Sequence, residues 1–147
     1  MTDFSGTYYS DSRGDTLELA RRFAADIEPG DVIAMYGDLG AGKTVFVSGA
    51  AKVLGFDGFV TSPTFAIVNE YQGGKYPIAH FDMYRITDEN DLFSTGFYDY
   101  LDMGFVMFIE WSENIEYAIE DSFIKITFSG SGDERRTITI EDGRFSR

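Results

Sequence analysis

Leu17, Ala20, Phe23, Ala24 and Ile27 recur at the three- and four-residue spacing of one helix face. Ser12 followed by Asp15 predicts a capping box at the start of that helix. Pro29-Gly30 predicts a turn, and Val32 to Tyr36 reads as a buried strand. A Gly-rich stretch follows, then a second helix from about Lys43 to Leu54. Its apolar stripe is Phe46, Gly49, Ala50 and Val53, and Gly55 is its stop. Beyond it the pattern changes to strands. Phe65 to Tyr71 and Tyr76 to Asp82 flank Gln72-Gly73-Gly74-Lys75 and predict a hairpin. Thr87 is placed to cap a short helix around Asp88 to Phe93. Phe105 to Ile109 is a continuous apolar run, as expected of a central strand buried on both faces. Phe123 to Phe128 and Arg135 to Ile140, across Gly130-Ser131-Gly132-Asp133, predict a second hairpin. The sum is a single α/β domain over 1–147 with a mixed parallel and antiparallel sheet. Residues 1–11, polar and rich in Ser and Asp, are expected to be loosely ordered.

Composition narrows the chemistry. With no cysteine there is neither a disulfide framework nor thiolate catalysis, and one histidine argues against a His-based metal site. Twelve basic residues stand against 25 acidic ones, giving a net charge of −13. Nucleic acid is gripped by Lys and Arg that displace counterions from phosphates. A chain this acidic is expected to leave any RNA to another protein. No stretch reaches the length of a membrane span, and no signal-like N-terminus is seen, so cytoplasmic residence is expected. The aromatic share of 16% is high, and these side chains are expected in the core and in a partner-facing patch.

Gly37-Asp38-Leu39-Gly40-Ala41-Gly42-Lys43-Thr44 fills every fixed position of G-x-x-x-x-G-K-[ST], between a predicted strand and a predicted helix. Glycines let the backbone curl so that successive N–H groups face phosphate oxygens. The helix adds its positive end. Lys43 is the cation for the β- and γ-phosphates, and the Thr44 hydroxyl is a magnesium ligand. The nucleotide bound is expected to be ATP with Mg2+. Such a site also needs an acid at the end of a neighbouring strand. Glu110 ends the run from Phe105, and Asp82 ends Ile78-Ala79-His80-Phe81. His80 shares a strand face with Asp82, and either orients Asp82 or an attacking water or is a structural core residue. Trp111 is either core or a ring beside the nucleotide.

The run GDLGAGKT, then Ser62-Pro63-Thr64-Phe65, then His80-Phe81-Asp82-Met83-Tyr84-Arg85, then Glu110-Trp111, resembles the bacterial TsaE (YjeE) family in order and spacing across about 16 to 111. The resemblance implies a P-loop NTPase-like three-layer domain. It also implies a weak, partner-dependent ATPase required for the threonylcarbamoyl modification of the tRNA adenosine beside the anticodon. The partner it implies is the TsaB–TsaD heterodimer, with tRNA reached only through that complex. Hydrolysis then resets the complex rather than activating the substrate. By position, the resemblance makes Lys43 a phosphate contact and Thr44 and Glu110 magnesium ligands. It makes Ser62 to Phe65 a nucleotide-sensitive switch, puts Asp82 in a second such element, and places Thr16 near the base. Catalytic roles are thus expected for Lys43, Asp82 and Glu110. ATP contacts are expected from Thr16, Asp38, Leu39, Gly40, Ala41, Gly42, Lys43 and Thr44.

Three other readings compete. A small-molecule P-loop kinase needs lid arginines, for which Arg135-Arg136 is the candidate pair. A regulatory GTPase is disfavoured, because neither N-K-x-D nor a later D-x-x-G occurs. The third is a nucleotide-binding module without hydrolysis.

Overall fold

Ser12 accepts a hydrogen bond from the Asp15 N–H and so caps α1 (Arg13–Ala24), as the capping signal predicts. The reciprocal contact differs, because the Asp15 carboxylate takes the N–H of Asp11, 3.0 Å away. This computed structural model describes residues 2–37, 40–63, 67–130 and 135–145. Residues 6–10 are not loose. They form β1 (Gly6–Ser10), paired antiparallel with β7 (Arg136–Asp142) from Gly6↔Ile140 to Ser10↔Arg136. A partner strand this far along the chain leaves no local signal in a polar segment.

The remaining strands are β2 (Val32–Tyr36), β3 (Val68–Tyr71), β4 (Ile78–Asp82), β5 (Val106–Glu110) and β6 (Ile124–Gly130). They form one seven-stranded sheet in the order β1-β7-β6-β2-β5-β4-β3. Its centre is parallel: β2 pairs with β5 and β6, and β4 with β5. Its margins are antiparallel, through the β3–β4 and β6–β7 hairpins and the added β1. The tip of the second hairpin, 131–133, lies outside the described residues.

α2 (Gly40–Val53) begins three residues before the predicted start. It ends in a Schellman turn, with Phe56 N–H on the Ala51 carbonyl and Gly55 N–H on that of Lys52. Its buried apolar face is Phe46, Val47, Ala50, Ala51 and Leu54, whereas Val53, assigned to the stripe from sequence, is 39% exposed. α1 and α2 cover one face of the sheet, where Phe23 and Phe46 pack on Ile33, Met35 and Phe108. On α2, a Cβ at Gly49 would lie 2.9 Å from the Leu17 carbonyl, so only glycine allows this helix approach. The other face is covered by α3 (Glu89–Ser94), α4 (Phe97–Met103) and a 3-10 helix over Ser112–Ala118. There Val32, Phe81, Met107 and Ile109 meet Leu92, Phe97 and Ile115. This is an α/β three-layer domain of the P-loop type. Asp88, not Thr87, caps α3, and Thr87 instead binds the Asp91 carboxylate through both its N–H and its hydroxyl.

Strand alternation fixes where the acids point. Ile78, Val106 and Phe108 belong to the α1/α2 side, while Ala79, Phe81, Met107 and Ile109 belong to the other. By the same parity His80, Asp82 and Glu110 face α2, at the carboxyl ends of the parallel strands.

Candidate active site

β2 leads directly into the phosphate loop. Gly37 has φ +109, and a Cβ there would sit 2.2 Å from the Phe128 carbonyl oxygen, so both conformation and space require glycine. Its N–H donates to Glu113 Oε2 at 2.9 Å, and its carbonyl accepts from Lys43 Nζ. Asp38 and Leu39 lie outside the described residues. Gly40 and Ala41 open α2 as backbone, followed by Gly42 and Lys43, both buried. The Lys43 ammonium is 4.2 Å from the centre of the Trp111 ring, a cation–π contact that places Trp111 beside the loop. Tyr84 also packs against that indole, centroids 5.0 Å apart.

Thr44 and Glu110 meet, with Thr44 Oγ1 donating to Glu110 Oε2 at 3.2 Å. Asp82 lies on the adjacent strand in register with Glu110. Its Oδ1 takes the Tyr84 N–H at 2.9 Å, and its Oδ2 has a long contact of 3.4 Å with the Ser62 hydroxyl. His80 does not turn to Asp82. Its Nε2 is 2.6 Å from Glu110 Oε2 and its Nδ1 is 2.8 Å from the Tyr71 hydroxyl. Burial pushes the Tyr71 phenol above its ordinary range.

Two non-glycine residues at positive φ flank the acids: Ile67 (φ 70), whose carbonyl takes the Asp82 N–H, and Trp111 (φ 61), directly after Glu110. A β-branched residue in this region is strained, and such strain collects at functional sites. Ser62 and Pro63 are described, while Thr64 and Phe65 lie outside the described residues.

Thr16 is buried at the start of α1, with its hydroxyl 2.7 Å from that of Ser10. Ser10 pairs with Arg136, and a Cβ on Gly42 would lie 3.5 Å from Arg136 Nε. Thr16 therefore stands at the same end of the sheet as the loop, two residues removed from it. Arg136 belongs to β7, and Arg135 forms an ion pair with Asp11 at 3.0 Å, so the candidate lid arginines are part of the sheet margin.

Sequence reasoning missed three groups. Glu113 holds the loop's first N–H. Glu116 accepts the Tyr36 hydroxyl at 3.0 Å; burial and then this carboxylate drive the Tyr36 phenol far above its usual value. Tyr71 reaches His80 from the edge strand. None stands in a motif, and only the tertiary fold brings them in. A separate cleft of about 670 Å3, lined by Asp3, Ser5, Asp121, Lys125 and Glu141 among others, opens at the amino ends of the parallel strands. That is the wrong end for a ligand of an open α/β sheet.

A family model described as "Threonylcarbamoyl adenosine biosynthesis protein TsaE" matches residues 10–138. The chain belongs to the TsaE family. It is 40% identical to the tRNA threonylcarbamoyladenosine biosynthesis protein TsaE of Bacillus subtilis over 126 residues, covering 86% of this chain and 78% of that one. The Rickettsia prowazekii relative is 33% identical, covering 91% and 93%. The crystal structure of Bacillus subtilis YdiB superposes with a TM-score of 0.77 at 32% identity, covering 95% of this chain and 87% of that one. TsaE-family membership places the chain in tRNA threonylcarbamoyladenosine biosynthesis. No helix among the described residues is long and apolar enough to cross a membrane.

Proposed function

We propose that the chain is a magnesium-dependent ATPase that serves threonylcarbamoyl modification of tRNA as a nucleotide-switched partner of TsaB–TsaD. The observation that carries this reading is the meeting of Thr44, on the phosphate-loop helix, with Glu110, at the end of the neighbouring parallel strand.

The chemistry follows from the residues. The loop backbone and the start of α2 supply N–H donors for phosphate oxygens. Lys43 supplies the positive charge for the phosphates, with Trp111 beside it. The oxygen set of a hydroxyl and a carboxylate suits Mg2+, a hard cation that keeps several of its waters. Thr44 and Glu110 would hold it, and when bound it would neutralise charge developing on the β- and γ-oxygens. Asp82 has one oxygen fixed by the Tyr84 N–H and the other held only by the long Ser62 contact, so a water at the γ-phosphate could compete for that second oxygen. The Ser62 contact links that acid to the segment read as a switch. Segments of this kind are ordered by the γ-phosphate and released on hydrolysis. The ATP form can thus present a surface that the ADP form lacks. The net charge of −13 fits a protein that binds a protein and leaves tRNA to it.

The test is to titrate TsaB–TsaD with this chain bound to a non-hydrolysable ATP analogue, and again with ADP, while following phosphate release. Tighter binding in one state, by about 1–3 kcal/mol, and stimulated hydrolysis are expected. Equal affinity and no stimulation would remove the reading. Lys43→Ala should abolish most of the ATP-induced rise in Tm, since only ligand bound to the folded state stabilises it.

A further inference from the structure

We propose that His80 and Tyr71 are positioning residues for the Glu110 carboxylate, forming a hydrogen-bonded relay whose far end is the backbone carbonyl of Thr61. The inference rests on the reading of Glu110 given above and adds what fixes its orientation.

The three side chains come from three adjacent strands, Tyr71 from β3, His80 from β4 and Glu110 from β5. All are buried, with 4%, 0% and 1% of their surface exposed. A carboxylate that ligates magnesium, as proposed for Glu110, is ionised and only accepts hydrogen bonds, so on that reading His80, 2.6 Å away, presents a proton on Nε2. In the neutral ring Nδ1 is then an acceptor, and the Tyr71 hydroxyl at 2.8 Å must donate to it. That hydroxyl also lies 3.1 Å from the Thr61 carbonyl oxygen, which can only accept. One phenolic proton therefore serves two acceptors. Phe56 stacks on the Tyr71 ring, with centroids 4.8 Å apart.

Thr61 immediately precedes Ser62, whose hydroxyl reaches Asp82. One short stretch of backbone thus touches both acids, Asp82 through Ser62 and Glu110 through Tyr71 and His80. Moving that stretch changes how firmly Tyr71 holds the imidazole, and hence how firmly the imidazole holds Glu110. Partners that orient a metal-ligating group in this way are worth about 10–100-fold in affinity or activity when removed.

A buried His–Tyr pair that merely fills the core would predict something different, and paired amide variants separate the two cases. The side-chain nitrogen of His80→Gln falls near the position of Nε2 and can still donate to Glu110. That of His80→Asn falls near Nδ1 and cannot. With partner-stimulated ATPase as one readout, His80→Asn should lower kcat by about 10–100-fold with KM for ATP little changed, and His80→Gln should recover most of the loss. The second readout is Mn2+ affinity in the ADP complex, which should weaken in His80→Asn and recover in His80→Gln. Equal effects of the two variants would overturn the relay. The third readout needs no variant. His80 is the sole histidine, so the ring nitrogens of 15N-histidine-labelled protein are assigned without ambiguity. A proton on Nε2 together with a bare Nδ1 supports the relay, and a bare Nε2 or a protonated Nδ1 overturns it. Glu110→Ala is the control. If it hydrolyses ATP normally, the reading of Glu110 fails. If it is dead while His80→Asn matches wild type, only the relay fails.

Discussion

Replacing Glu110 in two ways separates its part in hydrolysis from its part in the fold. In Glu110→Gln the amide oxygen can still accept from His80 Nε2 and Thr44 Oγ1, which now stand 2.6 and 3.2 Å from the carboxylate. The charge is lost and an NH2 replaces one oxygen, but both donors keep their acceptor, so Tm should stay closer to wild type than in Glu110→Ala. In Glu110→Ala both donors lose their acceptor. His80 is fully buried in the intact protein. An orphaned buried donor costs about 1–3 kcal/mol. For a chain of this size that is a fall in Tm of about 2–12 °C. On the proposed reading both variants also remove the carboxylate charge that would hold Mg2+ with Thr44. Loss of one preorganised electrostatic contact typically costs about 10²–10³-fold in turnover. Nucleotide binding should survive in both, because the loop backbone and Lys43 are untouched. The assays are phosphate release in the presence of TsaB–TsaD, nucleotide affinity by calorimetry, and thermal melts without nucleotide. A Gln variant that turns over at the wild-type rate refutes the catalytic role. An Ala variant as stable as the Gln variant refutes the hydrogen-bond reasoning.

Two further outcomes test the frame around the site. Gly49→Ala gains about 1 kcal/mol of helix propensity but puts a methyl 2.9 Å from the Leu17 carbonyl and 3.0 Å from Ala20 Cβ. Overpacking of about 1–3 kcal/mol should win, so Tm should fall in a melt; a rise would mean that α1 and α2 are not so close. Burial, and then the hydrogen bond to Glu70, push the Tyr100 phenol up to about 12, above its unfolded value of about 10. Its contribution to stability is full below about pH 10 and is lost as pH rises toward 12, because the unfolded chain releases that proton first. Denaturant midpoints should therefore fall across that window, less steeply in Tyr100→Phe, and an unchanged slope in that variant would refute the assignment.

Much of this was readable from local pattern. Val32–Met35 and Val106–Ile109 are apolar because helices cover both sides of the central strands, and the eight-residue motif runs from the end of β2 into the first turn of α2. Two kinds of feature were not readable. β1 and α4 carry little local signal: Gly6–Ser10 is a half-exposed margin held by a strand near the other end of the chain, and Phe97–Met103 is a short helix between two glycines. The direction of His80 is the second kind. Its spacing put it on the face of Asp82, but residues two apart on a strand are roughly 7 Å apart, no nearer than a diagonal neighbour on the next strand. Asp82 is already engaged by Tyr84 and Ser62, and the imidazole goes to Glu110. Only the register Asp82↔Glu110 reveals that choice.

The strand order has a consequence for how the chain acquires its site. β2, which launches the phosphate loop, has β5 and β6 as its neighbours, and neither is made until most of the chain has emerged. During synthesis, at about 5–20 residues per second, the α1 and α2 helices can pair early, but Val32–Tyr36 waits several seconds without a partner strand. β1 waits longest, for β7. Folding dominated by such distant pairings is slow, in the millisecond-to-second range, and leaves apolar strands open to chaperones meanwhile. The nascent chain therefore cannot join Thr44 to Glu110 before the sheet closes, and nucleotide added during refolding should act late, trapping the finished fold rather than speeding its formation.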